Sequence, residues 1–264
     1  MAAQVEIVTV DAANVGQRGF FCYKSKPKAV GYRRKLDWLQ SRFAEGLVIK
    51  IASEDGRSVG FIEYMPGEYA WRAMHAPDYM VIHCLWVVGQ GKGKGHGSRL
   101  LEACVEDARQ AGLAGVAMLA SRGNWLAGSK LFLQHGFERV GQASPAFELL
   151  VKRFGVAPPP TLPGDEDERL RRYGAGLTVL RSDQCPYLED AVANAVEAGH
   201  EAGVETQVVE LQSARQVREL SPSPYGVFGL VYDGRLLSYH YLGKKELLQL
   251  MTLSKSAPTH KLGS

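Results

Sequence analysis

One stretch constrains this chain more than any other, Leu85 to Leu101, which reads LWVVGQGKGKGHGSRLL. Val81 to Val88 is apolar, carries β-branched residues and ends in glycines, which predicts a buried strand. Lys92-Gly93-Lys94-Gly95-His96-Gly97 follows. Ser98 then opens an amphipathic helix with Leu100, Leu101, Ala103, Cys104, Val105 and Ala108, stopping near Gly112. A strand, a glycine loop and a helix N-terminus form a cradle for a phosphate, because free N–H groups and the helix dipole face the anion. Ser98 is placed to cap the helix or to donate to a phosphate oxygen. A P-loop needs Gly-Lys followed directly by Ser or Thr, and His96-Gly97 intervenes. The dinucleotide pattern GxGxxG is out of register, and no acidic residue ends a second strand about 20 residues on.

The stretch resembles the pyrophosphate loop of the GNAT acetyltransferases, (Arg/Gln)-x-x-Gly-x-(Gly/Ala) preceded by Leu-x-Val on a strand. Leu85-Trp86-Val87 supplies the strand, and Lys92 stands where the family usually has Arg or Gln. Lys130 to Phe137 is similar to the second motif of that family, a helix ending Tyr-x-x-x-Gly-Phe, with Phe132 at the Tyr position. In many members that tyrosine protonates the departing CoA thiolate, so its absence leaves the general acid open. The resemblance implies an α/β (α+β) fold, a mixed sheet flanked by helices, with acetyl-CoA as cosubstrate and no metal. It places the backbone of Leu85, Trp86, Val87 and Val88 against pantetheine, with an N–H near Val87 on the thioester oxygen. It puts the pyrophosphate on Lys92, Gly93, Lys94, Gly95, His96, Gly97, Ser98 and Arg99. Asn124, Lys130 and Phe132 complete the expected cofactor set.

The attacking amine must lose a proton, and Glu63 and His83 are the candidate catalytic bases, each in an otherwise apolar strand. Burial would raise the Glu63 pKa and lower that of His83, and both shifts suit a base at neutral pH. The alternatives are a satisfied core histidine, and a Glu63 that pairs with Arg72 or holds a substrate cation. His83 is expected to share a face with Val81, Leu85 and Val87. Tyr64, Glu68, Trp71, Arg72 and His75 are the acceptor-pocket candidates. Aromatics with a carboxylate suit a cationic amine, whereas Arg72 suits a carboxylate on the acceptor.

Cysteine usage bears on compartment and chemistry. Cys22, Cys84, Cys104 and Cys185 lie far apart with no CxxC, which argues for a reducing cytoplasm and against a zinc site. His83-Cys84 alternates across a strand, so the two should not chelate one ion. The N-terminus shows no signal-peptide pattern, and no run of about 18 apolar residues would span a membrane. Net charge is +3, with 20 Lys/Arg against 14 Asp/Glu in residues 1–154 and 11 against 14 in the remainder. The basic run Lys24, Lys26, Lys28, Arg33, Arg34 and Lys35 reads as a solvated helix face or as cofactor contacts. No aromatic-basic interleaving of a nucleic-acid module accompanies it. Oligomeric state is not legible.

The stretch 155–172 holds Pro158-Pro159-Pro160, Pro163-Gly164 and the acidic run Asp165 to Glu168, which is linker composition. Residues 1–154 then form the acetyltransferase domain, 173–251 a second domain, and 252–264 a disordered tail. The second domain reads βαβαββα and resembles a thioredoxin fold, with Cys185-Pro186-Tyr187 like the start of a glutaredoxin site whose resolving position is Leu188. Cys185 at a helix N-terminus is a candidate reactive thiol, its pKa lowered there, or else a retained small hydrophobe. The two-domain arrangement resembles bacterial acetyltransferases of the YoaP type. Three functions follow. The first is transfer of acetyl from acetyl-CoA to a primary amine of a small molecule or amino acid by direct attack in a ternary complex. The second is a CoA-binding, catalytically weak module whose second domain binds a partner or a thiol. The third is an enzyme in which Cys185 carries or senses the substrate.

Overall fold

The computed structural model describes residues 4–122 and 126–256, so Asn124 lies outside the described residues. β1 (Val5–Val10), α1 (Val15–Arg18), α2 (Val30–Phe43), β2 (Val48–Glu54), β3 (Arg57–Pro66) and β4 (Tyr79–Val87) open the chain. α3 (His96–Gln110), β5 (Gly115–Ser121), α4 (Lys130–Gln134), β6 (Glu138–Ala143) and β7 (Phe147–Arg153) follow. The seven strands form one sheet in the order β1-β2-β3-β4-β5-β7-β6, and within it only β4 and β5 pair in parallel. Asp55 and Gly56 turn the β2–β3 hairpin with φ of 49° and 77°, the left-handed pair that a two-residue hairpin needs.

Two apolar layers cover the sheet. Leu100, Leu101, Cys104 and Ala108 of α3 and Phe132 of α4 pack on Ile62, Ile82, Leu85, Met118 and Leu150. On the opposite face, Trp38 and Leu39 of α2 pack on Ile49, Phe61, Met65 and Val81. That second layer continues without a break into the C-terminal unit, through Leu177, Tyr225 and Val227.

The C-terminal unit contains β8 (Leu177–Arg181), α6 (Leu188–Glu201), β9 (Thr206–Glu210), α7 (Ala214–Leu220), β10 (Phe228–Tyr232), β11 (Arg235–Ser238) and α8 (Lys244–Ser256). Its sheet runs β11-β10-β8-β9, with β8 and β9 parallel and the other pairs antiparallel. Ser213 caps α7 by accepting the Gln216 N–H at 3.2 Å.

The two units are stitched together. Arg34 of α2 pairs with Asp183 at 2.8 Å and Glu210 at 2.6 Å. The Ala73 N–H donates to the Pro224 carbonyl at 3.1 Å. Gly31 permits the closest approach, since a Cβ there would lie 2.1 Å from the Pro186 carbonyl oxygen.

Several elements differ from the sequence reading. β6 was not foreseen, because ERVGQA is too polar to read as a strand. It is an edge strand that pairs only with β7. The stretch 155–172 is anchored at both ends. Thr161 exchanges two backbone hydrogen bonds with His75, both 2.9 Å, and Glu166–Arg171 forms α5. Arg169 of that helix is buried on the Ser221 carbonyl at 3.1 Å. α8 continues to Ser256, so the first residues of the expected disordered tail are helical.

Candidate active site

β4 is where the sheet opens. Its ladder with β5 ends at the pair Ile82–Met118, although β4 runs on to Val87 and β5 to Ser121. The backbone of Leu85 to Val87 therefore faces a gap on that side. β4 also carries a bulge, because Glu63 opposes Cys84 while Tyr64 opposes Ile82, leaving His83 as the extra residue. A bulge re-aims side chains. Strict alternation therefore fails here. Leu85 packs beneath α3, whereas His83 and Cys84 both line a cavity on the other face. The expectation that these two residues point apart is corrected on that ground. Among the described residues no group of three His, Cys, Asp or Glu is arranged to hold a metal ion.

The cavity measures about 520 Å³. Its floor is Phe61 and Glu63 of β3 with His83, Cys84 and Trp86 of β4. Phe20, Phe21 and Cys22, after α1, and Lys35 of α2 form one side. Gln184 to Tyr187 and Tyr225 of the C-terminal unit form the roof. Trp86 and Val88 stand at the mouth, 48% and 38% exposed.

A saturated polar network lies at the bottom. Glu63 accepts from Lys35 Nζ at 2.7 Å, from Gln184 Nε2 at 2.8 Å and from His83 Nδ1 at 3.2 Å. His83 Nε2 accepts the Trp71 N–H at 2.9 Å, which places the ring proton on Nδ1, aimed at Glu63. Burial pushes the Glu63 carboxyl up, but the Lys35 ammonium and the His83 hydrogen bond outweigh burial and hold it at about 2. Burial lowers His83 to about 4, despite the Glu63 hydrogen bond. The expectation of a raised Glu63 is thus reversed, by a lysine that sequence reading left on a solvated face. A charge at position 35, three and four residues before Trp38 and Leu39 on the apolar side of α2, was the available signal.

Arg72 is the one acceptor-pocket candidate that reaches the cavity. It is buried and donates to the carbonyls of Trp71, at 2.8 Å, and His83. The other four lie elsewhere. Tyr64 points beneath α3 and donates to Asp107 at 2.5 Å. Glu68 is exposed, and its carbonyl accepts from Arg218. Trp71 packs edge-on against Trp38 outside the cavity, and His75 is exposed beside Thr161. Gln184 and Tyr225 were missed because they lie far along the chain.

The thiols are quiet. Burial raises Cys185 to about 11 and Cys84 to about 12, and it lifts Cys22 well above the usual range. Cys185 sits in an apolar wall, so the expected lowering does not occur.

The glycine loop leads into α3 with Gly93 and Gly95 left-handed, at φ 79° and 82°. α3 begins at His96 with Gly95 as its N-cap and no capping side chain. Ser98 therefore sits inside the first turn rather than at the cap, and the first N–H groups stay open to a ligand. His96 is buried under the loop, while Lys92 and Arg99 are exposed at its rim. Lys94 is pinned to Glu54 at 2.8 Å. Lys130 is exposed at the start of α4. Phe132 is fully buried, edge-on against Phe137, and so belongs to the core beneath the sheet.

The family model described as Acetyltransferase (GNAT) family matches residues 15–137. The uncharacterized N-acetyltransferase YoaP of Bacillus subtilis is 30% identical over 221 residues, 82% of this chain and 86% of its own. This chain belongs to the GNAT family of acetyltransferases. As a GNAT enzyme it is an acetyl-CoA-dependent N-acetyltransferase. An L-methionine sulfoximine/L-methionine sulfone acetyltransferase of Pseudomonas aeruginosa is 34% identical over 106 residues, 40% of this chain and 59% of its own. Among solved structures, the PaiA N-acetyltransferase of Thermoplasma acidophilum with coenzyme A aligns over 57% of this chain and 99% of its own. It has 14% identity and a TM-score of 0.42. Among the described residues of this GNAT chain, no helix is long and apolar enough to cross a membrane.

Proposed function

We propose that this chain moves acetyl from acetyl-CoA to the primary amine of a small-molecule acceptor, by direct attack with both substrates bound. The carrying observation is the gap beside β4 with a cavity lined by His83, Cys84 and Trp86 of the same strand. Pantetheine runs along Leu85 to Val88, and the pyrophosphate takes the open N–H groups of Gly93 to Ser98, with Lys92 and Arg99 beside it. Lys94 serves less, because Glu54 already holds it. A backbone N–H near Val87 stabilises the oxyanion as the amine adds to the carbonyl carbon and the thiolate leaves.

Glu63 and His83 are ill suited to take the proton themselves, with one held near 2 and the other using Nε2 on a backbone N–H. Water at the cavity mouth is the better acceptor, and the Glu63 network orients the amine. The test is free-thiol release from acetyl-CoA across a panel of amines, with calorimetry for CoA. The kcat/KM profile should follow the acceptor amine's own pKa. A limb near 4 that vanishes in His83→Asn would assign the base to His83 instead.

The C-terminal unit and Phe132 both bear on this reading. The β11-β10-β8-β9 order and the βαβαββα succession support a thioredoxin-like second domain over 173–251, joined through 155–172 to an acetyltransferase domain over 1–154. The buried Phe132, which offers no hydroxyl for the leaving thiolate, favours the second function, a CoA-binding module with little turnover. Tight CoA binding with no thiol release from any amine would establish that function.

A further inference from the structure

We propose that the acceptor is a free α-amino acid, its carboxylate held on Arg72 and its side chain packed against the roof supplied by the C-terminal unit. The proposal rests on the transferase reading above and adds the acceptor's chemical class and the residues that select it.

Arg72 is 2% exposed and lines the cavity. Among the described residues its hydrogen bonds go to neutral carbonyls, those of Trp71 and His83. Its Nε is buried with no partner. No carboxylate among the described residues pairs with it within 4 Å, whereas neighbouring Glu63 is taken by Lys35, His83 and Gln184. A buried guanidinium without a counter-ion is costly, and an anion that arrives with the ligand relieves it. The planar fork matches a carboxylate in particular. The Tyr225 ring lies 5.0 Å from the guanidinium carbon and backs its face.

Position converts this charge into specificity. Arg72 grips the carbonyl of His83, the bulge residue just beyond the last β4–β5 pair. A carboxylate on Arg72 leaves an α-amino group one carbon away, at the inner end of the gap where the thioester would arrive. Cys185, Pro186, Tyr187 and Tyr225 close the opposite side, and Gly31 locks the Pro186 backbone onto α2. A space of about 520 Å³ suits a small ligand. Thiols and aromatic rings line it, so an apolar, thioether or aryl side chain fits best.

The test uses the full chain and acetyl-CoA, with free-thiol release as readout. L-methionine and L-phenylalanine are compared with their decarboxylated amines, their carboxamides and a dipeptide. The expected result is a kcat/KM for an amino acid at least about 30-fold above that of its amine, the scale of a charge-assisted hydrogen bond. Arg72→Gln should remove most of that ratio through KM, and Arg72→Lys should restore part of it, with CoA affinity unchanged in both. Because Arg72 also braces two carbonyls, the wild-type comparison stands without either variant. Tyr187→Ala should change the preference among side chains while leaving the carboxylate requirement intact. Thiol release that is equal for amines and amino acids, or that favours the dipeptide, overturns this proposal and leaves the transferase intact. No release with any amine, beside tight CoA binding, overturns the transferase reading and this proposal with it.

Discussion

At the scale of the residue, Lys35, His83 and Gln184 converge on the Glu63 carboxylate at the floor of the cavity. Glu63 and His83 stand out because each interrupts an apolar strand, and the structure brings them together. Their protonation is set by Lys35 and Gln184, which lie 28 and 121 residues from Glu63, and no local pattern reveals such partners. The consequence is measurable in acid. The unfolded chain takes a proton on this histidine near 6.5, the folded one only near 4. The unfolded chain therefore binds more protons between those values, and stability falls as pH drops through that window. Glu63 adds a second loss between its ordinary 4.5 and about 2, where its paired carboxylate is titrated away. Thermal melts should decline from pH 7 to pH 4, and His83→Asn should flatten the upper part of that decline. A melting temperature that stays level over this range would remove the case for a neutral, buried His83.

At the scale of the element, the strand–loop–helix unit was legible almost whole, because glycine spacing and the α3 periodicity are local properties. Its boundaries moved by two residues, from Ser98 to His96, since glycine can cap a helix without announcing itself through a side chain. Lys92→Ala should weaken CoA binding roughly tenfold, as expected for one lost charge-assisted contact, and Lys94→Ala by less, because Glu54 already shares it. Calorimetry with CoA separates the two, and equal losses would show that the Glu54 pair dissolves when the cofactor binds. β4 misled for a different reason. A bulge adds one residue without altering the apolar composition, so the side chains after it exchange faces while the sequence still reads as regular alternation. That single residue accounts for the misplaced faces of His83 and Leu85.

At the scale of the whole molecule, composition suggests two units and a connector, while the contacts between the sheets leave no mark in it. Surfaces meet through residues that look ordinary in isolation, such as Gly31 and Gln184. Gly31→Val should drive a side chain into the Pro186 carbonyl, which already lies 2.1 Å from where a Cβ would sit. Proteolysis within 155–172 should then accelerate and the acceptor KM should rise several-fold, with CoA affinity held within about twofold. Limited digestion and steady-state kinetics check this, and an unchanged KM would mean that the roof contributes nothing to acceptor binding. The parting of β4 from β5 has a different kind of consequence. An exposed strand edge invites another chain to add itself, which is why sheets usually blunt their borders. Here a border lies inside the sheet, walled by a neighbouring strand and by helices. A slender arm of amides can still enter and complete the ladder, much as an added strand would.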